Sequence, residues 1–283
     1  MGKGIDNQRY RDMKTVAGTY IPDIGEVEYP EDRPDAHIAG VRYDGRQVTL
    51  DEKFPYYDRS FKFRLNHALN RLLLRCLVIY VNRVRYGLRI VGKENLKKNK
   101  ALLKDGALTV CNHVYRWDLA CVLDAIGNRN LWFPIYGDHM RGKDAWFMHY
   151  LGGIPIPETR AGMRAFDTAF YEYRKKKEWL HVFPEAASWK FYTPIRSFKR
   201  GAFSMAYKYN IPVVPFVFSY RPRTGIYKLF DKPEIPLLTL HVGTPIVPDI
   251  TRPRKEEVTR ILHEAHSQMV SMAGITSNPW PAE

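Results

Sequence analysis

The chain has 283 residues, enough to bury a substantial core, and accommodates one large domain with appendages. Lys and Arg number 44 against 30 Asp and Glu, and the resulting net charge of +14 favours a polyanionic partner, either nucleic acid or an anionic membrane surface. The three cysteines form no CxxC pair and no Cys/His cluster with zinc spacing, which argues against a disulfide framework and a structural metal site and fits a reducing, cytosolic compartment.

Residues 1–60 are predicted to form an irregular N-terminal extension, because Pro, Asp, Tyr and Gly are frequent in them. Alternating apolar residues on both sides of Asp44-Gly45 predict a small hairpin in this extension. The first residues lack the apolar run of a signal peptide, so we expect no export by that route. No later run approaches the roughly 18 apolar residues of a spanning helix, so no transmembrane helix is predicted.

Residues 61–87 are predicted to form an amphipathic helix that is apolar nearly all round. At 100° per residue, a polar seam of Arg64, Arg71, Arg75 and Asn82 falls within about 40° and is free to face water or phosphate. Basic residues flank the apolar face, which favours a helix lying in the plane of an anionic membrane. Packing of the apolar face against the rest of the protein is the alternative.

Residues 88–274 show alternating strand and helix patterns, which is typical of an α/β domain. Strands are predicted at 88–91, 107–111, 131–136, 154–156, 180–183, 213–220 and 236–242, and helices at 118–126, 144–151, 162–178, 202–209 and 254–272. Residues 275–283 are predicted to form a loose tail.

The first candidate catalytic segment is Asn112-His113-Val114-Tyr115-Arg116-Trp117-Asp118. It follows one predicted strand and opens a predicted helix, which puts His113 in a strand-to-helix turn. Residues five apart lie about 140° apart on a regular helix, so His113 and Asp118 meet only if the residues between them form that turn. His139 and Asp144 share the spacing but lack this context.

Such a pair has the chemistry needed for acyl transfer to an alcohol. His113 can take the proton from the hydroxyl group while Asp118 orients its ring, and backbone N–H groups at the start of the following helix are candidate oxyanion donors. The structural alternative is that Asp118 only caps the helix and His113 is an ordinary loop histidine.

Further segments follow in a fixed order along the chain. They are Gly152-Gly153-Ile154-Pro155-Ile156, Phe183-Pro184-Glu185, Phe198-Lys199-Arg200-Gly201 and Ile211-Pro212-Val213-Val214-Pro215. Together with the first segment, this order resembles that of the PlsC-type glycerolipid acyltransferases over about residues 88–250. The resemblance implies the α/β fold of that family, with a mixed, largely parallel sheet flanked by helices and an N-terminal amphipathic helical segment that associates with the membrane.

The resemblance also implies roles for individual residues. His113 is the base, Asp118 orients it, and Asn112 supports the turn. The residues implied in acceptor binding are Glu185, Ser188, Arg160, Lys199 and Arg200, and Arg196 is a further candidate for phosphate binding. No metal or cofactor is implied beyond the acyl-CoA or acyl-carrier-protein co-substrate.

Two motifs depart from the pattern of the family. Pro157-Glu158 stands where Asp-Arg is expected, and Ala186-Ala187-Ser188-Trp189 replaces Gly-Thr-Arg-Ser. The arginines that bind the acceptor's phosphate in the family are therefore displaced or absent. A carboxylate at position 158 is expected to repel a phosphate monoester, which a guanidinium group would bind.

The sequence thus predicts a peripheral or monotopic acyltransferase on the cytoplasmic face of the membrane, with anionic lipids as partners. The acceptor favoured by the resemblance is 1-acylglycerol-3-phosphate, which would give phosphatidic acid. Another lysophospholipid, an amino-acid lipid or a sugar is the alternative acceptor. A thioesterase is the enzymatic alternative, because the same pair can activate water. A nucleic-acid-binding protein is the non-enzymatic alternative, disfavoured because the basic residues are spread along the chain.

Overall fold

The computed structural model describes residues 7–23, 25, 27–36, 45, 47–127, 129–230 and 235–283. The predicted hairpin around Asp44-Gly45 falls largely on residues outside these ranges. The strands are β1 (Lys14–Thr15), β2 (Arg89–Val91), β3 (Leu108–Cys111), β4 (Leu131–Ile135), β5 (Gly153–Pro155), β6 (Trp179–Val182), β7 (Val213–Arg221), β8 (Leu237–Val242) and β9 (Ile275–Ser277).

The helices lie close to their predicted positions. They are α1 (Gln8–Asp12), α2 (Phe61–Tyr80), α3 (Glu94–Lys98), α4 (Asp118–Ile126), α5 (Ala145–Leu151), α6 (Arg160–Lys175), α7 (Gly201–Tyr209) and α8 (Arg254–Met272). Helix α6 begins two residues earlier than predicted because the Thr159 hydroxyl caps it, accepting from the Gly162 amide at 2.9 Å. A π-helical turn, Val81–Arg85, continues α2, and 3-10 turns occupy Gly137–Arg141 and Gly225–Leu229.

A seven-stranded sheet, in the order β2-β8-β7-β3-β6-β4-β5, forms the centre of the domain. Strands β7 and β8 are antiparallel, and the other neighbouring pairs are parallel. This confirms the predicted mixed, largely parallel sheet. Because β3, β4, β5, β6 and β7 run in the same direction, their carboxyl ends share one edge of the sheet, where α/β proteins commonly bind their ligands.

Helices cover both faces of this sheet. On one face, strands β3 and β6 pack with α6, α7 and α8 in one buried apolar cluster. On the other face, the same strands and β7 pack against α4. Coverage on both sides explains why the parallel strands read as continuous apolar runs in the sequence.

Helix α2 presents an apolar stripe to the outside. Ser60 caps its first turn by accepting from the Phe63 amide at 3.1 Å. Its inner face includes Phe63, Leu74 and Val78, which are buried in apolar clusters. The exposed large side chains are Phe61, Leu65, Leu69, Leu72, Leu73, Leu77 and Tyr80. No helix in the described ranges is both long enough and apolar enough to pass through a bilayer.

The polar seam of α2 does not face outward as a unit, so that prediction is wrong for two of its members. Asn82 is fully buried, accepts from the Trp117 indole at 2.9 Å and donates to Asp124 at 3.2 Å. Arg71 donates to the Arg129 carbonyl oxygen at 2.9 Å. The reason is that α4 and the loop before β4 offer hydrogen-bond partners, which satisfy Asn82 in the interior and hold the half-buried Arg71 against the domain.

The two ends of the described chain lie together. Strand β1 pairs with β9 in a small antiparallel sheet. Residues 275–283, predicted to be a loose tail, are instead packed, because Trp280 is buried in an aromatic cluster with Tyr29, Trp189 and Tyr192. The Trp280 indole also donates to the Tyr192 hydroxyl at 2.9 Å.

Candidate active site

His113 and Asp118 meet in the turn that joins β3 to α4. The His113 Nδ1 atom lies 3.0 Å from Asp118 Oδ2, and the same oxygen accepts from the amides of Val114 at 2.7 Å and Tyr115 at 2.8 Å. One carboxylate therefore shapes the turn and holds the histidine ring. The alternative in which Asp118 only caps the helix does not fit, because no described side chain caps α4 and both amides that donate to Asp118 precede the helix.

Burial distinguishes the two members of this pair. The Asp118 side chain is fully buried, whereas that of His113 keeps 24% of its surface exposed. Burial raises the pKa of the Asp118 carboxyl group, and hydrogen bonds from His113 and from the two turn amides oppose that rise. In the tautomer that donates from Nδ1 to Asp118, Nε2 is the nitrogen left to accept a proton.

The main chain of His113 is held on both sides. Its amide donates to Glu185 Oε2 at 3.0 Å, and its carbonyl oxygen accepts from the Trp189 amide at 2.9 Å. The imidazole ring stacks on Phe183 with centroids 4.0 Å apart and planes 13° from parallel. The segment after β6 therefore positions both the backbone and the ring of the histidine.

Asn112 connects the same turn to the next strand of the sheet. It is buried, and its side-chain oxygen accepts from the Phe218 amide of β7 at 2.9 Å. This placement is suited to the supporting role that the resemblance implies for it.

Glu185 does not have the environment expected of an acceptor-binding carboxylate. It is buried, and Oε2 accepts from both the His113 amide and the Arg196 guanidinium, each at 3.0 Å. Its Oε1 atom accepts from the Arg196 amide at 2.9 Å. Both oxygens are therefore engaged inside the protein, and these contacts correct the prediction that Glu185 binds the acceptor.

Arg196 likewise departs from its predicted role in phosphate binding. Only 1% of its side chain is exposed, and its guanidinium group lies 4.2 Å from the centroid of the Trp189 ring. The sequence offered no signal for its pairing with Glu185, because the two residues are separated by an irregular loop with no helical or strand period.

Two of the remaining predicted acceptor-binding residues, Lys199 and Arg200, have charged partners elsewhere in the chain. Lys199 pairs with Asp35 at 2.8 Å, and Arg200 donates to Thr259 of α8 at 2.9 Å and pairs with Glu283. Arg160 is the exposed first residue of α6, and Ser188 is half-buried in the segment before Trp189. The structure thus brings together Asn112, His113, Asp118 and Glu185, and it pairs Lys199 with Asp35 and Arg200 with Glu283.

The carboxylate at position 158 is not left unpaired. Arg141 Nη2 lies 2.6 Å from Glu158 Oε1, and Nη1 of the same arginine lies 3.3 Å from Asp138. These residues follow β4 and β5 and so lie at the carboxyl edge of the sheet. The sequence analysis did not identify Arg141. Its partner Glu158 follows a different strand, so no regular spacing in the sequence indicates the pair. Its charge weakens the expectation that Glu158 repels a phosphate monoester.

Two further histidines lie near the catalytic turn. His181 of β6 is fully buried and lies 2.8 Å from the Thr109 hydroxyl through Nδ1; burial, followed by the nearby His113, lowers its pKa to about 3. His139 follows β4, and burial, followed by His113, also lowers its pKa. The sequence analysis set His139 aside, yet its strand ends at the same edge of the sheet as His113.

Comparisons with known proteins give one family match and one match to a solved structure that we describe. A family model described as Acyltransferase matches residues 87–219, a range that includes the His113 turn and Glu185. Among solved structures, the chain is similar to the 1-acyl-sn-glycerophosphate (LPA) acyltransferase PlsC from Thermotoga maritima, with 17% identity and a TM-score of 0.49. That match covers 79% of this chain and 87% of that chain. No curated protein matches the chain.

Proposed function

Because a family model described as Acyltransferase matches residues 87–219 of this chain, we propose that the protein transfers a fatty acyl group from a thioester donor to the hydroxyl group of a lysolipid. The donor in this proposal is acyl-CoA or acyl-carrier protein. The observation that carries it is the 3.0 Å contact between His113 Nδ1 and Asp118 Oδ2 inside the matched domain. The thioester supplies the driving force, and the protein contributes positioning and electrostatic stabilisation.

The proposed reaction begins with proton transfer to His113. Nε2 takes the proton of the acceptor hydroxyl as its oxygen attacks the thioester carbonyl carbon, and Asp118 stabilises the resulting imidazolium ion. The tetrahedral intermediate collapses, the carbon–sulfur bond breaks, and the imidazolium proton passes to the departing thiolate. The products are the acylated lipid and the free thiol, with His113 again neutral.

The turn restricts which amides can stabilise the oxyanion. The amides of Val114 and Tyr115 are occupied by Asp118, and the Asp118 amide donates to the Tyr115 carbonyl oxygen at 3.1 Å. The expectation that amides at the start of α4 serve as oxyanion donors therefore does not extend to these three groups.

We propose 1-acylglycerol-3-phosphate as the first acceptor to test, with phosphatidic acid as the product. The order of the motifs supports this choice, and pairing with Arg141 reduces, without cancelling, the negative charge of Glu158 and Asp138 at the carboxyl edge of the sheet. Other lysophospholipids, amino-acid lipids and sugars are the alternative acceptors for the same chemistry.

The exposed face of α2 supports docking to an anionic membrane, which we place at the cytoplasmic face. Phe61, Leu72 and Leu73 are 80%, 64% and 65% exposed on one helix, a larger contiguous apolar stripe than scattered surface residues produce. Exposed basic residues on and beside this helix favour anionic headgroups. They are Lys62, Arg64, Arg75 and Arg83.

A second exposed apolar group lies beyond the end of this helix. Ile226 and Leu229, in the 3-10 turn after β7, are 66% and 84% exposed. Arg223 connects this turn to the end of the π-helical turn by donating to the carbonyl oxygens of Tyr227 at 2.7 Å and Arg85 at 3.0 Å. Strands β7 and β3 end at the same edge of the sheet. A membrane in contact with Ile226 and Leu229 would therefore lie at the edge where the side chain of His113 is partly exposed.

Thiol release from palmitoyl-CoA, measured with and without 1-acylglycerol-3-phosphate, tests the proposed reaction. We expect release that requires the acceptor, and a decrease in kcat of about 10²–10⁴-fold in His113→Ala, the range typical of a lost general base. Release without acceptor would identify a thioesterase. Equal turnover by wild type and His113→Ala would contradict the mechanism.

A further inference from the structure

The His113 main chain is held by two residues of the segment after β6, and both depend on Arg196. Arg196 Nη2 donates to the Glu185 oxygen that accepts from the His113 amide. Its guanidinium group also lies over the ring of Trp189, whose amide donates to the His113 carbonyl oxygen. Arg196 therefore contacts both residues that fix the histidine backbone, while its own burial prevents it from reaching an acceptor.

A segment outside the family-matched range closes over this arginine. The described residues between 7 and 36, which we name the N-terminal arm, cross the loop after β6. Arg196 Nη1 donates to the Pro34 carbonyl oxygen at 2.9 Å, and the Trp189 indole donates to the Ala36 carbonyl oxygen at 2.8 Å. The arm thus accepts hydrogen bonds from the two side chains that lie behind the His113 turn.

The arm is anchored next to these contacts by its own polar and aromatic groups. The Tyr29 hydroxyl donates to the Lys190 carbonyl oxygen at 2.7 Å, and the Tyr192 hydroxyl donates to Glu31 at 2.8 Å. Glu31 also accepts from the amides of Arg9 at 2.8 Å and Tyr10 at 3.0 Å. Glu31 therefore ties two parts of the arm to the loop after β6.

We propose that Arg196 is a positioning residue for the acyl-transfer reaction, and that the N-terminal arm holds it in place and so forms part of the catalytic apparatus. The inference rests on the proposed function of His113. A buried guanidinium that loses its acceptors is costly, so the arm and Glu185 together restrict Arg196 to one conformation. Small displacements of a catalytic base reduce turnover strongly, whereas substrate binding elsewhere is little affected.

The test is Arg196→Gln in the full chain, assayed with palmitoyl-CoA and 1-acylglycerol-3-phosphate. We expect kcat to fall about 100-fold with KM within roughly twofold of wild type, because the base is displaced and the substrate contacts remain. Arg196→Lys should recover part of the loss, because an ammonium group can still pair with Glu185. Glu31→Ala, which releases the arm without altering Arg196, should lower kcat about 10-fold.

Arg260→Gln is the matched control for a loss of folding stability. It removes an arginine from another buried glutamate, Glu257 of α8, which Arg260 contacts at 2.6 Å. We expect a lower Tm in this variant with kcat unchanged. If Arg196→Gln does not fold, Arg196→Lys and Glu31→Ala decide: kcat values equal to that of Arg260→Gln in both would overturn the proposal.

Amide hydrogen exchange of the 111–118 segment, followed by mass spectrometry, provides a readout that needs no turnover. Faster exchange in Arg196→Gln and Glu31→Ala, but not in Arg260→Gln, would support the positioning role, and unchanged exchange would overturn it. Absence of His113-dependent transfer in the wild type would instead refute the proposed function, while the exchange result would still decide whether Arg196 positions the turn.

Discussion

The side chains of the His113 turn are engaged by partners inside the protein, whereas those on the outer face of α2 are exposed. In the turn, one carboxylate oxygen accepts from a ring nitrogen and two amides, and the histidine backbone is bonded on both sides. On α2, large apolar side chains such as Leu72 and Leu73 are mostly exposed. The hydrogen bonds that hold the turn lie within the protein, whereas the apolar face of α2 is left exposed. Substitutions in the two regions should therefore affect different measurements.

The largest effect is expected from Asp118→Asn. An amide group cannot accept from the His113 ring and two main-chain amides as the carboxylate does, and it no longer stabilises an imidazolium ion by charge. We expect kcat to fall on the order of 10³-fold or more, as for the equivalent change in a serine protease triad, with vesicle binding unchanged. Palmitoyl-CoA turnover and vesicle co-sedimentation provide the two measurements.

Asp144→Asn is the control for that substitution, because Asp144 has the same spacing from a histidine but follows a different strand. A similar loss of kcat in both variants would contradict the specific role of Asp118.

A smaller effect, on vesicle binding rather than on kcat, is expected from the double variant Leu73→Asp with Leu77→Asp. Burial of a Leu side chain contributes roughly 1.5–3 kcal/mol, so the affinity for vesicles containing anionic lipid should fall at least about 10-fold. Turnover of a short-chain, water-soluble substrate should not change, because the hydrogen bonds that hold the turn lie within the protein.

Ile250→Asp provides the matched control for α2, since Ile250 is also exposed but lies outside that helix. If the double variant binds vesicles as the wild type does, α2 is not the docking face. A loss of binding in Ile250→Asp as well would indicate a general effect of negative charge.

The smallest effect concerns the pH dependence of stability near the turn. The pKa of His181 is lowered to about 3 in the folded protein, against about 6.5 for an unperturbed histidine. Between these values the unfolded chain binds more protons, so stability falls as pH falls from about 6.5 towards 3. In His181→Gln, the slope of unfolding free energy against pH should be smaller by about 1.4 kcal/mol per pH unit in this window.

Urea unfolding at several pH values between 4 and 7 measures that slope, with the exposed His263→Gln as the control for loss of a surface histidine. An identical slope in wild type and His181→Gln would show that His181 does not contribute to acid destabilisation.

Local patterns predicted the elements of the domain, but not the partners formed across it. Helix α4 begins at Asp118 as predicted, because a strand pattern, a short turn and a helical pattern follow one another directly in the sequence. The period of α2 identified which residues share a face. It did not determine that Asn82 faces inward, because that depends on Trp117 and Asp124, which are distant in sequence.

The roles of Glu185 and Arg196 show the same limit more clearly. The resemblance implied that Glu185 binds the acceptor, but the residue instead accepts from the His113 amide. The sequence could not show that Arg196 would donate to both oxygens of Glu185, through its amide and its guanidinium group. That pairing depends on an irregular loop and on the Pro34 carbonyl oxygen of the arm.

The parallel stack of His113 on Phe183 bears on how the positive charge is stabilised in the proposed reaction. With the centroids 4.0 Å apart, the face of the benzene ring presents its negative electrostatic potential to the imidazole. When His113 carries the proton, its charge is therefore attracted by Asp118 at the ring edge and by Phe183 across the ring face. An apolar residue of the Phe-Pro-Glu segment thereby becomes an electrostatic neighbour of the base.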